Sequence, residues 1–218
     1  MIKKILLVSW MSLLLGQICF GNTIGDGTDS FFTVAGKGDV VAVKAFIANG
    51  ANVNAKDKVG RTPLMHAAWK GRTETIRLLL ANGANPNSEN KSGTTALMYA
   101  ARFGKLDAAR ALLETGARVN AKTKTGLTPL MHAAWYAHIE VVRLLVERGA
   151  DVNAQDEEGR IALIHATEGG NTEIVRILLD KGADRQVKDR SGRTALMIAE
   201  TRDRMDIAEL LRNTNLKP

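Results

Sequence analysis

The sequence is short of the residue types that most often carry chemistry. Its 218 residues include one cysteine, Cys19, and four histidines. A lone cysteine cannot close an intrachain disulfide, so stability must come from packing. There is no G-x-S-x-G run, no Gly-rich phosphate loop and no H-E-x-x-H pair, and the acidic residues are scattered. No nucleophile, phosphate cradle or zinc-protease site can be assembled from such a chain by motif. These gaps point away from catalysis and from a cofactor. Aromatic residues are few, at 5%, which suits small helical units packed closely. Apolar residues, by contrast, make up 45%, which excludes a disordered chain and is enough for one domain with a sizeable core. The formal charge is +7, and +5 without Lys3 and Lys4. That moderate excess favours acidic partners or anionic surfaces and does not by itself imply nucleic acid.

Residues 1–21 are expected to be a cleavable export signal. Lys3 and Lys4 form a positive start, and Ile5 to Leu15 is an uncharged apolar run of 11 residues. As a helix it would rise ~16 Å, too little for a bilayer core of ~30 Å. Cys19-Phe20-Gly21 then places small residues three before and one before a cut preceding Asn22. An uncleaved anchor is the rival. A lipidated Cys19 would want Leu three residues earlier and a small residue just before it, where Gly16 and Ile18 stand. The style of the signal points to a bacterial envelope, so the product is expected in the periplasm or outside the cell.

From there on the chain repeats itself. Gly60, Gly93, Gly126, Gly159 and Gly192 recur every 33 residues and open GRTPLMHAA, GTTALMYAA, GLTPLMHAA, GRIALIHAT and GRTALMIAE. Gly50, Gly83, Gly116, Gly149 and Gly182 keep the same step in NGANVNA, NGANPNS, TGARVNA, RGADVNA and KGADRQV. The pattern resembles the ankyrin repeat, G-x-T-P-L-H-x-A-A…G-A-D-x-N-A. The resemblance covers 28 to about 213, with Phe31 and Phe32 at the Leu-Met places of a degenerate first unit. It implies an all-α solenoid of six helix-turn-helix units joined by hairpin-like loops. After a linker at 22–27, the repeats fall at about 28–59, 60–92, 93–125, 126–158, 159–191 and 192–216.

Physical chemistry accounts for the recurring residues. Thr62-Pro63 suits a helix start, because proline's fixed φ and missing N–H fit the first turn. Ala67 and Ala68 let neighbouring helices come close. Ile76, Leu79 and Leu80, like Val142, Leu145 and Val146, keep helical spacing in a second helix, which ends at a glycine able to turn left-handed. No unit buries its apolar face alone, so the stack is the core. Asp29-Ser30 reads as a cap for the first helix. Glu200, Arg202, Asp203, Arg204 and Asp206 read as the polar outer face of a terminal unit.

Two departures from the family pattern stand out. Met65, Met98, Met131, Ile164 and Met197 occupy the place of the family's histidine, and His66, His132 and His165 come one residue later. The helix-start hydrogen bond usually credited to that histidine is therefore in doubt. Ala137 and Asp203 replace the glycine found at Gly71 and Gly104, which is expected to adjust the short turn between helices. The histidines do not suggest a metal site: repeats stack at about 8–10 Å, whereas ligands converge to roughly 2 Å from one ion.

The informative residues are those the repeat does not need. The resemblance implies a concave, partner-facing surface made of hairpin tips and first-helix ends. The two residues after each Ala-Ala are Gly36-Lys37, Trp69-Lys70, Arg102-Phe103, Trp135-Tyr136, Glu168-Gly169 and Thr201-Arg202. Trp, Tyr and Arg are the types that most often dominate interfaces. Trp69, Lys70, Arg102, Phe103, Trp135 and Tyr136 are thus candidate partner-binding residues, with Lys58, Arg61 and Lys124 on a mainly basic rim. Alternatively, Trp69 and Trp135 fold back to cover their helices. The implied activity is capture of a partner protein by a monomer that meets the membrane only during export. An envelope enzyme that it assists and a toxin that it neutralises are both compatible. The rival is an anionic envelope polymer held by the basic tips. Export, modest charge and the Glu157-Glu158 interruption argue against nucleic acid.

Overall fold

The computed structural model describes residues 27–213, with side chains from Phe31 onward. The expected export signal, Cys19 and nearly all of the linker lie outside the described residues. Twelve helices follow one another as six pairs: α1 (Gly27–Lys37) with α2 (Val40–Ala48), α3 (Pro63–Lys70) with α4 (Thr73–Ala81), α5 (Ala96–Arg102) with α6 (Leu106–Glu114). The series continues with α7 (Pro129–Trp135) and α8 (Ile139–Glu147), α9 (Ala162–Gly169) and α10 (Thr172–Asp180), α11 (Ala195–Thr201) and α12 (Met205–Arg212). No strand occurs among the described residues. The architecture is the all-helical solenoid that the repeat implies.

The first helices are short and start on a threonine. Thr62, Thr95, Thr128 and Thr194 each accept from the backbone N–H three residues on, at Met65, Met98, Met131 and Met197. In the first three of these the methionine sulfur returns the favour, taking the threonine N–H at 3.4–3.5 Å. The helix-start cap thus survives without the family's histidine, closed by sulfur instead. In the fifth pair Ile161 replaces the threonine, and α9 has no side-chain cap. At the other end of the chain, α1 already begins at Gly27, so Asp29 and Ser30 lie within its first turn rather than ahead of it.

Stacking runs in two rows. Each first helix packs on the next first helix, and each second helix on the next second helix. The first-helix row is drawn tight by Ala67, Ala68, Ala100, Ala101, Ala133 and Ala134, all completely buried. The second row contributes Ile76, Leu79, Leu112, Leu145, Val175 and Leu178 to the same continuous core. Only the last unit leaves its inner methionine, Met197, half exposed, and there Glu200 pairs with Arg212.

Three hydrogen-bond ladders cross every junction or most of them. Asn54, Asn87, Asn120 and Asn153 each donate to a glycine carbonyl of the next unit at 3.0–3.1 Å and accept from the N–H two residues beyond it at 2.8 Å. This explains why asparagine, with a donor and an acceptor on one short side chain, recurs at that place. The hairpin tips are joined by single backbone bonds, such as Lys91 N–H to Val59 C=O and Lys124 N–H to Ser92 C=O, at 3.0–3.1 Å. A third ladder caps the first helices. Arg72, His138 and Arg204 reach back 36 residues to the carbonyls of Gly36, Arg102 and Glu168. A positive or donating group belongs at the negative end of a helix.

The turn between paired helices is the same in all six units. Gly38, Gly71, Gly104 and Gly170 have φ between +64° and +83°, and Ala137 and Asp203 follow at +61° and +54°. The substitutions therefore leave the turn unaltered and place an L side chain in the left-handed region. That conformation costs roughly 1–2 kcal/mol for a residue with a Cβ, against about 0.5–1 kcal/mol of extra chain entropy lost by glycine. Ala137→Gly should accordingly raise stability by about 0.5–1 kcal/mol, seen as a rise of about 1–3 °C in thermal unfolding. An unchanged or lower midpoint would show that Ala137 is not strained.

Candidate partner-binding face

The hairpins before α3 and α9 share a side-chain lock. Asp57 accepts from the Val59 and Arg61 N–H groups at 3.0 and 2.8 Å, from Arg61 Nε at 2.8 Å and from His66 Nε2 at 3.0 Å. Asp156 repeats every contact with Glu158, Arg160 and His165 at 2.9–3.0 Å. Burial alone would raise the Asp57 carboxyl, but the Arg61 N–H, His66, the Arg61 guanidinium and the Val59 N–H together hold it at about 2. Asp189 keeps the arginine, Arg193, but Ile198 stands at the sequence place of the histidine. Asn90 substitutes a bond to the Tyr99 hydroxyl at 3.2 Å.

The displaced histidines are thus structural ring partners of the hairpins. His66 is lowered by burial against the pull of Asp57. His132 is the exception, because Thr123 stands where the aspartate would be and its hydroxyl accepts from the Leu127 N–H at 3.0 Å. Burial, with repulsion from Arg102 and His165, pushes the His132 ring down to about 4. No group of three metal-ligating side chains comes together among the described residues.

The residues after each Ala-Ala line up along the first-helix ends. Trp69, at the end of α3, is half-buried and meets Phe103 at 5.8 Å between ring centroids. Lys70 Nζ lies 4.3 Å from the Trp69 ring centre and the Arg61 guanidinium 5.9 Å. Arg102 then bridges Phe103 and Tyr136, at 5.6 and 5.2 Å from their ring centres. Trp135 turns the other way and packs on His165 at 5.4 Å. Phe103, Trp135 and Tyr136 remain 37%, 40% and 43% exposed, so the aromatics only partly cover their helices. The result is one row of alternating rings and cations over α3, α5 and α7, ending in a cleft of about 250 Å³ beside Trp135 and Tyr136.

The rim fits the expectation less well. Arg61 belongs to the Asp57 lock and points over Trp69, so it joins the aromatic row rather than the hairpin edge. Lys58 and Lys124 are exposed on their hairpins. Lys56 and Lys122 donate to the Glu89 and Gln155 carbonyls of the next hairpin at 3.0 and 3.1 Å. Arg190 faces Glu158 at 3.7 Å. Much of the basic edge is thus wiring between repeats. Sequence reading did not pick out Glu168, which is buried between Arg160 and Arg202 at 3.7 Å from each. The hairpin lock was missed as well, although its signal was available in the spacing of Asp, Arg at i+4 and His at i+9, repeated at Asp57 and Asp156.

A family model for ankyrin repeats matches three stretches, residues 8–90, 80–156 and 152–218. The chain belongs to the ankyrin repeat family. Ankyrin repeats are in general protein–protein interaction modules and are typically non-catalytic. No curated protein matches the chain closely enough to count as a relative.

The unpartnered His132 gives the ankyrin stack a pH dependence with a definite sign. An unfolded histidine takes up its proton near 6.5, whereas folded His132 does so only at about 4. Between those values the unfolded chain binds more protons, so stability present above pH 6.5 is lost as pH falls towards 4. His132 should contribute about 2–3 kcal/mol to the stability lost across that window in denaturant titrations, so His132→Gln should lose less than wild type by about that amount. Equal losses in the two proteins would exclude His132 as the source.

Proposed function

We propose that this protein is a non-catalytic binding module, exported to the periplasm or beyond, that recognises one partner protein through its first-helix face. The observation that carries this reading is the continuous row Trp69–Phe103–Arg102–Tyr136, with Trp135 beside it. None of these side chains is required by the repeat, and three of the rings stay well exposed. Exposed apolar patches with cations around them are what protein interfaces use, with Trp, Tyr and Arg as the usual anchors. Assisting an envelope enzyme and neutralising a toxin would employ the same geometry and differ only in what is bound. Export rests on the positive start, short apolar run and small residues before Asn22. Binding of an anionic polymer draws less support, because Lys56, Lys122, Arg190 and Arg193 are engaged within the stack.

Replacing Trp135 and Tyr136 together by Ala should cut capture of the partner from an envelope extract by more than about tenfold. Far-ultraviolet circular dichroism should stay unchanged, since both rings lie on the surface. Capture at the wild-type level would remove this face from the function. Capture should also weaken little with added salt, whereas a polymer held by counterion release would be lost steeply. In producing cells the accumulated chain should lie outside the cytoplasm and begin near Asn22. A cytosolic product starting at Met1 would overturn the export reading.

A further inference from the structure

The hairpin before α7 lacks the acid that the hairpins before α3 and α9 use. In those two hairpins Asp57 and Asp156 bind an arginine four residues on and a histidine nine residues on. The hairpin before α7 has Thr123 and Leu127 at the aspartate and arginine places but is followed by the same histidine, His132. The Thr123 oxygen is occupied by the Leu127 N–H and the Thr125 hydroxyl, both at 3.0 Å. Among the described residues His132 has no hydrogen-bond acceptor, and open space lies beside it. That space is the cleft of about 250 Å³, with Leu127, Met131, His132, Trp135, Tyr136 and Arg102 around it. It falls below the roughly 300–1,000 Å³ of small-molecule pockets, a size that suits a single side chain.

Charge at the cleft is unbalanced in one place. Asp156 and Glu168 are answered by Arg160, at 3.0 and 3.7 Å, and Glu168 also by Arg202 at 3.7 Å. Arg102, on the rim, lies over the faces of Phe103 and Tyr136 and has no acidic partner among the described residues. His165 also borders the cleft, with its Nε2 bonded to Asp156 and its buried Nδ1 without a partner.

We propose that the cleft takes one carboxylate side chain of the partner protein, an Asp or Glu next to an apolar residue. The incoming carboxylate supplies the acceptor that Thr123 cannot, taking hydrogen bonds from His132 and Arg102. The adjoining apolar side chain lies against Leu127, Trp135 and Tyr136. Charge-assisted bonds of this kind are about twice as strong as neutral ones. An unpaired guanidinium beside an unpaired imidazole therefore selects an acid over its amide. This inference rests on the first-helix face being the binding face and names the chemistry of its deepest point.

The test uses the protein as isolated from producing cells and three probes, followed through the ring signals of His132 by NMR. The probes are acetyl-Leu-Asp-Leu-amide, acetyl-Leu-Asn-Leu-amide and acetyl-Leu-Leu with a free terminal carboxylate. The aspartyl peptide should shift His132 saturably and bind at least about tenfold more tightly than the asparaginyl one. Equal binding of the two, or no shift at His132, would overturn the proposal. Tighter binding of the free-terminus peptide would overturn the side-chain assignment in favour of a chain end. Thr123→Asp combined with Leu127→Arg rebuilds the lock from within and should abolish the response. Arg102→Gln, on an exposed side chain, should cost the aspartyl peptide at least tenfold and leave the asparaginyl peptide unchanged. An undiminished response in either variant would count against the site. If the rebuilt lock still captures the natural partner while the Trp135/Tyr136 double variant does not, the face stands and the carboxylate site falls.

Discussion

Everything in this molecule depends on how closely one first helix can lie against the next. Ala67-Ala68, Ala100-Ala101 and Ala133-Ala134 have no side chain beyond Cβ to hold their neighbours away, and all six are fully buried. Larger residues here would separate the units and break the register of every cross-repeat bond. Because the alanine pairs are all in the same phase, the residues that follow them also fall into line. Trp69, Phe103 and Tyr136 form a row only because the helices that carry them are held at a constant pitch. The candidate face is therefore a by-product of the core.

That dependence explains which parts of the structure could be read from the sequence. The period of 33 residues, the helix starts at Thr62 and Thr128 and the glycine stops all follow from local rules, and the fold was legible throughout. The capping of α3, α5 and α7 was legible in part. The threonine half was evident, but methionine is not a usual capping residue, and the sulfur contacts with Thr62, Thr95 and Thr128 appear only in three dimensions. Ala137 was misjudged because a non-glycine residue suggests a different turn, whereas the stack on both sides forces the same left-handed one. At the face, the positions of Trp69, Trp135 and Tyr136 were foreseeable by counting from the alanines. The fate of Arg61 and Lys56 was not, since each is engaged by a partner whose position depends on side-chain reach rather than on spacing.

The hairpin lock shows how a repeat protein acquires an individual site. When the same aspartate, arginine and histidine recur, each hairpin satisfies its own polar groups and offers little to a ligand. Variation at two hairpin positions, Thr123 and Leu127, leaves one unit unsatisfied without disturbing its backbone. The Thr123 hydroxyl still holds the hairpin turn by accepting from the Leu127 N–H, as Asp57 does for Arg61. Structural and recognition roles are thus separable within a single hairpin, and the cost of the unlocked unit is confined to the ring of His132.

The ladder formed by Arg72, His138 and Arg204 has a direction. In each case the donor lies 36 residues downstream of the helix end that it caps. A unit capped in this way, the first, third or fifth, is consequently unfinished during synthesis until the beginning of the second helix of its successor has followed. At about 5–20 residues per second, that lag is on the order of 2–7 s per repeat. Each of these three helix ends thus waits on the repeat that follows it, and until then its last carbonyls lack their cross-repeat donor.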